Sequence, residues 1–194
     1  MTLFPVTGVL LAGGQSRRMG FPKGKLVFRD RTLAERALHI LESTCAEVWV
    51  SSSHSDYNDL TPYILTDAFN NAGPLGGIYS SLKVASYPQV FFIPLDLPFI
   101  SDSHVRYIIK AAEGVKIPVI PVHADGKLEP LCGVYPTSIL STVLELLVNK
   151  QFKVLDLLQI TGFKALPVEN FPEYHEQLFF NVNTPTDAQK LNEL

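Results

Sequence analysis

The chain of 194 residues has only two cysteines, no basic excess, and no long apolar run. Cys45 and Cys132 form no disulfide framework and no C-x-x-C metal or redox spacing, and both sit in apolar sequence surroundings, so buried free thiols are expected. Sixteen Lys and Arg against 19 Asp and Glu give a net charge of −3, which argues against a nucleic-acid-binding protein. No stretch reaches the roughly 18 apolar residues that a spanning helix needs. The N-terminal run MTLFPVTGVLLAGG lacks a leading positive charge and a small-residue cleavage site, so it reads poorly as a signal peptide. The expectation is a cytoplasmic protein with no membrane partner. Acidic residues are absent from residues 1–29, which hold Arg17, Arg18, Lys23, Lys25 and Arg29. The remainder, with 11 basic and 19 acidic side chains, carries −8. A basic island in an acidic chain suggests one anion site rather than a broad anionic partner.

Short β-rich runs alternate with helical patterns. Val6–Leu11, Glu47–Ser53, Tyr63–Thr66, Gln89–Leu95, Ile117–Val122 and Leu128–Tyr135 read as strands. Thr32 and Glu35 form a capping box for a helix carrying Leu33, Ala37, Leu38 and Leu41. Pro74 opens a helix towards Ser86, and Ser101 caps one carrying Val105, Ile108, Ile109 and Ala112. Leu140–Val148 and the segment after Thr184-Pro185 supply two more. Pro118 and Pro121 push the fifth strand towards an edge or an interrupted course. This alternation predicts an α/β, single-domain, Rossmann-like fold spanning 1–194, with a mainly parallel, mixed central sheet flanked by helices. Ligands in such sheets bind beyond the carboxyl ends of the strands, so chemistry is expected in the loops after Leu11, Ser53, Thr66 and Leu95.

The first of these loops reads LAGGQSRRMGFPKGK. Gly13 and Gly14 let backbone amides approach an anion, and the nearby cations supply charge. The spacing fits neither a P-loop nor a G-x-G-x-x-G fingerprint, and a surface loop with scattered basic residues is the competing reading. In the third loop, Asp67 precedes Gly73-Pro74-Leu75-Gly76-Gly77. Glycines inside a helix are costly, which favours close packing or ligand approach over a plain turn. Asp96 ends the most apolar strand, where a carboxylate must be paired or bind a cation, although it could also cap the next helix. Mg²⁺ takes one or two carboxylates together with phosphate oxygens and water, so Asp96 is the candidate metal ligand. The five histidines show no metal-ligand spacing.

The first loop resembles the signature of the molybdenum cofactor guanylyltransferase family, L-A-G-G-x-S-x-R-M-G-x-x-K. Leu11, Ala12, Gly13, Gly14, Ser16, Arg18, Met19, Gly20 and Lys23 stand in register with it, while Pro22 replaces the Asp common before the lysine. The resemblance continues through Asp67 with Gly73-Pro74-Leu75, through Asp96, through Glu129-Pro130-Leu131 with Tyr135, and through Asn181-Val182-Asn183-Thr184-Pro185. Ser51 stands about where the family often has Asn, and Cys132 where many members have a larger apolar residue. The resemblance implies transfer of GMP from GTP to the phosphate of molybdenum cofactor (molybdopterin), with Mg²⁺. It implies catalytic roles for Arg18, Lys23 and Asp96, and a nucleotide cradle from Leu11, Ala12, Gly13 and Gly14. Asp67, Gly73, Pro74 and Leu75 would hold base and ribose, and Asn181 and Asn183 would meet the pterin. An Asx turn into the last helix is the rival reading for those asparagines. The N-terminal half would bind nucleotide and the C-terminal half the acceptor, with transient contacts to proteins that deliver or accept the cofactor. A CTP-using sister enzyme, another small-molecule nucleotidyltransferase and a non-catalytic nucleotide-binding module are the alternatives.

Overall fold

A computed structural model describes residues 2–13, 23–52, 57, 59–61, 63–69 and 71–193. The first strand, β1 (Phe4–Leu11), is an interior strand of the main sheet. A short hairpin, β2 (Val27–Phe28) and β3 (Arg31–Thr32), precedes α1 (Leu33–Thr44). The capping box is present: Thr32 Oγ1 accepts from the Glu35 N–H, and Glu35 Oε2 accepts from the Thr32 N–H at 2.8 Å. Then follow β4 (Cys45–Ser51), β5 (Ile64–Leu65), α2 (Pro74–Val84), β6 (Gln89–Pro94) and α3 (Asp102–Ala111). The second half runs through β7 (Val119–Val122), β8 (Gly133–Pro136), α4 (Leu140–Val148), α5 (Val154–Thr161), β9 (Lys164–Pro167) and α6 (Pro185–Glu193).

Seven strands form one sheet in the order β5-β4-β1-β6-β8-β7-β9. β8 is antiparallel to both of its neighbours, and the other strand pairs are parallel. The sheet is therefore mainly parallel but mixed, as expected. Residues of β6 alternate between its two faces. Phe91 and Ile93 pack with Leu38 and Leu41 of α1 and with Val105 and Ile108 of α3. Val90 and Phe92 pack with Leu75 and Ile78 of α2, Val143 of α4 and Leu157 of α5. The apolar run in β6 is thus explained by cover on both faces. On a separate patch, α6 brings Leu191 against Phe28, Leu33 and Val182, which fastens the last helix to the β2–β3 hairpin.

Three sequence expectations need correction. β7 is not an edge strand, because β9 pairs with it in parallel on its outer side. Its ladder to β8 is interrupted as expected, with Val119–Val134 as its one register pair. β8 begins at Gly133 and not at Leu128, which makes only an isolated bridge to Val122. Residues 129–132 turn instead, with the Cys132 N–H donating to the Glu129 carbonyl at 3.1 Å. Finally, α5 and β9 are elements that the periodicity reading did not identify. Both cysteines are free and buried, as expected. No helix of the described residues is long and apolar enough to cross a membrane.

Candidate active site

Parallel register brings the functional loops to one edge. Leu11 stands opposite Ser51 on one side and Pro94 on the other, so the chain leaves β1, β4 and β6 at one level. Gly13 lies immediately beyond, where a Cβ would sit 3.7 Å from Asp67 Oδ2. The Ala12 N–H donates to the Ser51 carbonyl at 2.8 Å and fixes the start of this loop. The Ser51 hydroxyl donates to Asp67 Oδ1 at 2.9 Å. Burial pushes the Asp67 carboxyl above its ordinary range, and the Ser51 hydrogen bond offsets this only in part. Ser51 is therefore part of the site through Asp67, a role that its replacement of Asn had left open in the sequence.

The α2 N-terminus closes this side. Its cap, Gly73, has φ of 60°, a conformation that favours glycine, and Pro74 follows at the first helical position. Gly77 is explained by packing: a Cβ there would lie 2.6 Å from Ser51 Oγ and 3.3 Å from Leu11 Cδ2. The helical glycine lets α2 press against the Ser51–Asp67 pair. The Leu75 side chain is fully buried in the core. Ala12 is buried as well, while Gly73 and Pro74 are exposed.

The second cluster lies beyond β6. Lys23 Nζ is 3.3 Å from Asp96 Oδ2 and donates to Asn183 Oδ1 at 2.8 Å. Lys23 is delivered by a short helical turn, residues 23–25, whose Gly24 packs against the buried Tyr57 ring. Tyr57 is an anchor of the lysine that sequence reasoning missed; an aromatic residue in a polar loop was the available signal. The Val182 N–H donates to the Asp96 carbonyl at 3.0 Å and joins the C-terminal segment to this loop. Among the described residues, Asp96 Oδ1 is buried and has no hydrogen-bond partner. Arg18 and Gly14 lie outside the described residues, as do Ser16, Met19, Gly20, Pro22 and His54.

Asn181 and Asn183 are not equivalent. Asn181 Nδ2 donates locally to the Phe179 carbonyl at 3.0 Å, whereas Asn183 reaches Lys23. The turn into α6 is real as well: Asp187 Oδ2 accepts from the Asn183 and Thr184 N–H groups at 3.0 and 2.9 Å. The pair thus begins a capped helix, and Asn183 still points its side chain at the site.

On the C-terminal half, Glu129 Oε1 accepts from Lys127 Nζ at 2.6 Å and from His123 Nε2 at 3.0 Å. This cluster follows β7 and precedes β8, on the side of the sheet where Asp96 follows β6. Cys132 is fully buried, and burial together with the Glu129 and Asp96 charges pushes its thiol far up. A thiol held protonated packs and does not attack. Among the described residues, no three or more His, Cys, Asp or Glu gather as a ready metal cage. A single carboxylate with one buried, unsatisfied oxygen suits a cation that takes its other ligands from phosphate and water, as Mg²⁺ does.

A family profile described as the MobA-like NTP transferase domain matches residues 8–161. The chain is 31% identical over 188 residues to a probable molybdenum cofactor guanylyltransferase of Carboxydothermus hydrogenoformans, covering 96% of this chain and 94% of that one. A protein of the same description from Pelotomaculum thermopropionicum is 32% identical over 191 residues, covering 97% and 92%. Among solved structures, the molybdopterin-guanine dinucleotide biosynthesis protein A of Archaeoglobus fulgidus superposes with a TM-score of 0.83 at 20% identity, over 97% of both chains. The 2-C-methyl-D-erythritol 4-phosphate cytidylyltransferase of Thermus thermophilus superposes at 0.70 with 19% identity, over 98% of both. At those identities the structural likeness concerns the fold.

Proposed function

We propose, since this chain belongs to the MobA-like NTP transferase family, that it transfers GMP from GTP to the phosphate of molybdopterin and releases pyrophosphate. The observation that carries the reading is the meeting of Lys23, Asp96 and Asn183 beyond the carboxyl end of β6, one strand from Gly13 and Asp67. A cation and a carboxylate beside a glycine loop are the equipment of phosphoryl chemistry. The relatives' description as guanylyltransferases supplies the choice of substrates.

In the reaction, an acceptor phosphate oxygen bonds to the α-phosphorus of GTP. The bond from that phosphorus to the bridging oxygen breaks, and its electron pair leaves on pyrophosphate. The attacking oxygen is already anionic, so no strong base is needed. The barrier is anion repulsion plus charge developing on the leaving group, and positioning and electrostatic stabilisation lower it. Gly13, with Gly14, offers backbone donors, and Lys23 and Arg18 place positive charge at the phosphates. Asp67, buffered by Ser51, faces the nucleoside, and backbone at Leu11, Ala12, Gly73, Pro74 and Leu75 shapes that pocket. Asp96 is the residue that would hold Mg²⁺, which when bound neutralises phosphate charge and orients the oxygens. Asn181 and the Glu129-held Lys127 lie on the acceptor half. We further place the reaction in the cytoplasm, with transient contacts to cofactor-delivering or cofactor-accepting proteins.

The test is turnover with GTP, CTP, ATP and UTP, each with and without molybdopterin and Mg²⁺. Pyrophosphate release with GTP only when both are present is the expected result. Turnover with CTP alone would move the reading to a cytidylyltransferase. Turnover with sugar phosphates, or none at all, would overturn it.

A further inference from the structure

We infer that Asn183 is a positioning residue for the nucleotide, acting through Lys23, and that its role is not direct recognition of the acceptor. The inference rests on the nucleotidyl-transfer reading only in taking Lys23 as a phosphate contact.

The amide oxygen of Asn183 takes a 2.8 Å hydrogen bond from Lys23 Nζ, shorter than the 3.3 Å from that nitrogen to Asp96 Oδ2. The two acceptors differ in kind. Asp96 cancels the ammonium charge when it pairs with it. The Asn183 oxygen is neutral, so it orients the ammonium and leaves the charge available to phosphate. A lysine side chain is a flexible point charge, and an acceptor that fixes its head reduces what a ligand must order. Asn183 also holds Lys23 against migration onto Asp96.

The segment around Asn183 is built for this task. Its backbone N–H and that of Thr184 are fixed by Asp187 Oδ2, and the neighbouring Val182 N–H is fixed by the Asp96 carbonyl at 3.0 Å. Asn183 thus sits on a braced turn that reaches across 160 positions of sequence to the nucleotide side. The brace holds the backbone, and the side-chain oxygen reaches Lys23. Asn181, two positions earlier, spends its amide on the Phe179 carbonyl instead.

The experiment is calorimetric binding of GTP with Mg²⁺, without acceptor, to the wild type, Asn183→Ala, Lys23→Ala and the double variant. Thr184→Val serves as a control, because it removes only the hydroxyl's bonds with Asp187, 2.8 Å to Oδ2 and 3.2 Å from the Asp187 N–H, and leaves both backbone N–H bonds and the Asn183 oxygen in place. Asn183→Ala should weaken nucleotide binding roughly 3- to 10-fold, the range of one hydrogen bond's modest net contribution. The same change in the Lys23→Ala background should have no further effect, and Thr184→Val should lower the melting temperature while nucleotide affinity stays close to wild type. In steady state, Asn183→Ala should raise KM for GTP and leave KM for molybdopterin unchanged. An equal loss with and without Lys23, a rise confined to the acceptor KM, or a Thr184→Val loss matching that of Asn183→Ala would each overturn the inference. A wild type that bound no nucleotide would overturn it together with the proposed function, whereas normal wild-type binding with an unaffected Asn183→Ala would sink the inference alone.

Discussion

Asp96 combines a buried oxygen that has no partner among the described residues with one shared with Lys23. An unsatisfied buried acceptor costs stability, so removing it should not unfold the chain. Asp96→Ala should therefore abolish Mg²⁺-dependent transfer while the melting temperature holds or rises. A folded, fully active Asp96→Ala enzyme would refute the metal assignment. Lys23→Ala should weaken GTP binding, measured by calorimetry, because the cation proposed to meet the phosphates is gone. The sequence singles out the two residues for different reasons. Asp96 follows an apolar strand, where an acid demands a partner, and Lys23 belongs to a loop motif. That Lys23 would also meet Asn183 was not readable, because a contact over 160 positions leaves no local trace.

At the scale of elements, α1 and α2 show opposite sensitivities. α1 begins at a reciprocal cap between Thr32 and Glu35. Thr32→Ala should cost about 1 kcal/mol in urea unfolding and leave nucleotide affinity intact. α2 carries Gly77 in its first turns. Alanine there would gain about 1 kcal/mol of helix propensity. The new Cβ would meet Ser51 Oγ at 2.6 Å, a contact that needs Ser51 to move off Asp67. Overpacking of this kind costs about 1–3 kcal/mol and wins. Gly77→Ala should lower both unfolding free energy and GTP affinity, in contrast to Thr32→Ala. The elements themselves were legible where a cap, a proline or a periodic apolar face marked them, as with α1, α2, α3 and β6. They were missed where the signal was tertiary. α5 starts after Lys153, with no side-chain cap, and β9 is a mostly exposed four-residue strand recruited by pairing with β7.

Across the whole molecule, two titrating groups, His104 and Glu47, tie distant segments together and contribute to the response to acid. His104 Nδ1 accepts from the Ser101 N–H at 3.0 Å, so Nε2 carries the proton given to the Pro172 carbonyl at 2.8 Å. Burial lowers the pKa of this ring below its ordinary 6.5. The unfolded chain then binds the extra proton more readily, so this contribution is present above about pH 6.5 and is lost as pH falls towards the folded value. Glu47 acts lower on the scale. Burial pushes its carboxyl up, but hydrogen bonds from Thr7 and Ser86 outweigh that and leave it below the ordinary range. Its contribution is present above the unfolded value and is lost as pH falls through the folded one. Melting temperature should therefore decline in two stages, first below about pH 6.5 and again below about pH 4.3. His104→Gln should remove the first stage, and a flat wild-type profile between pH 7 and 5 would count against it.

The sequence by itself determined the layered α/β plan, because alternating apolar periods leave few other ways to bury both faces of a sheet. It also determined which loops hold glycine, cation and carboxylate, since strand ends are local features. Only the tertiary structure decided that β7 lies inside the sheet, that Leu75 faces the core, and that Ser51 works through Asp67. It alone decided that one lysine is shared between a carboxylate and an amide from the far end of the chain. These outcomes depend on which segments pack together, and packing follows from the summed fit of the whole chain rather than from any local pattern.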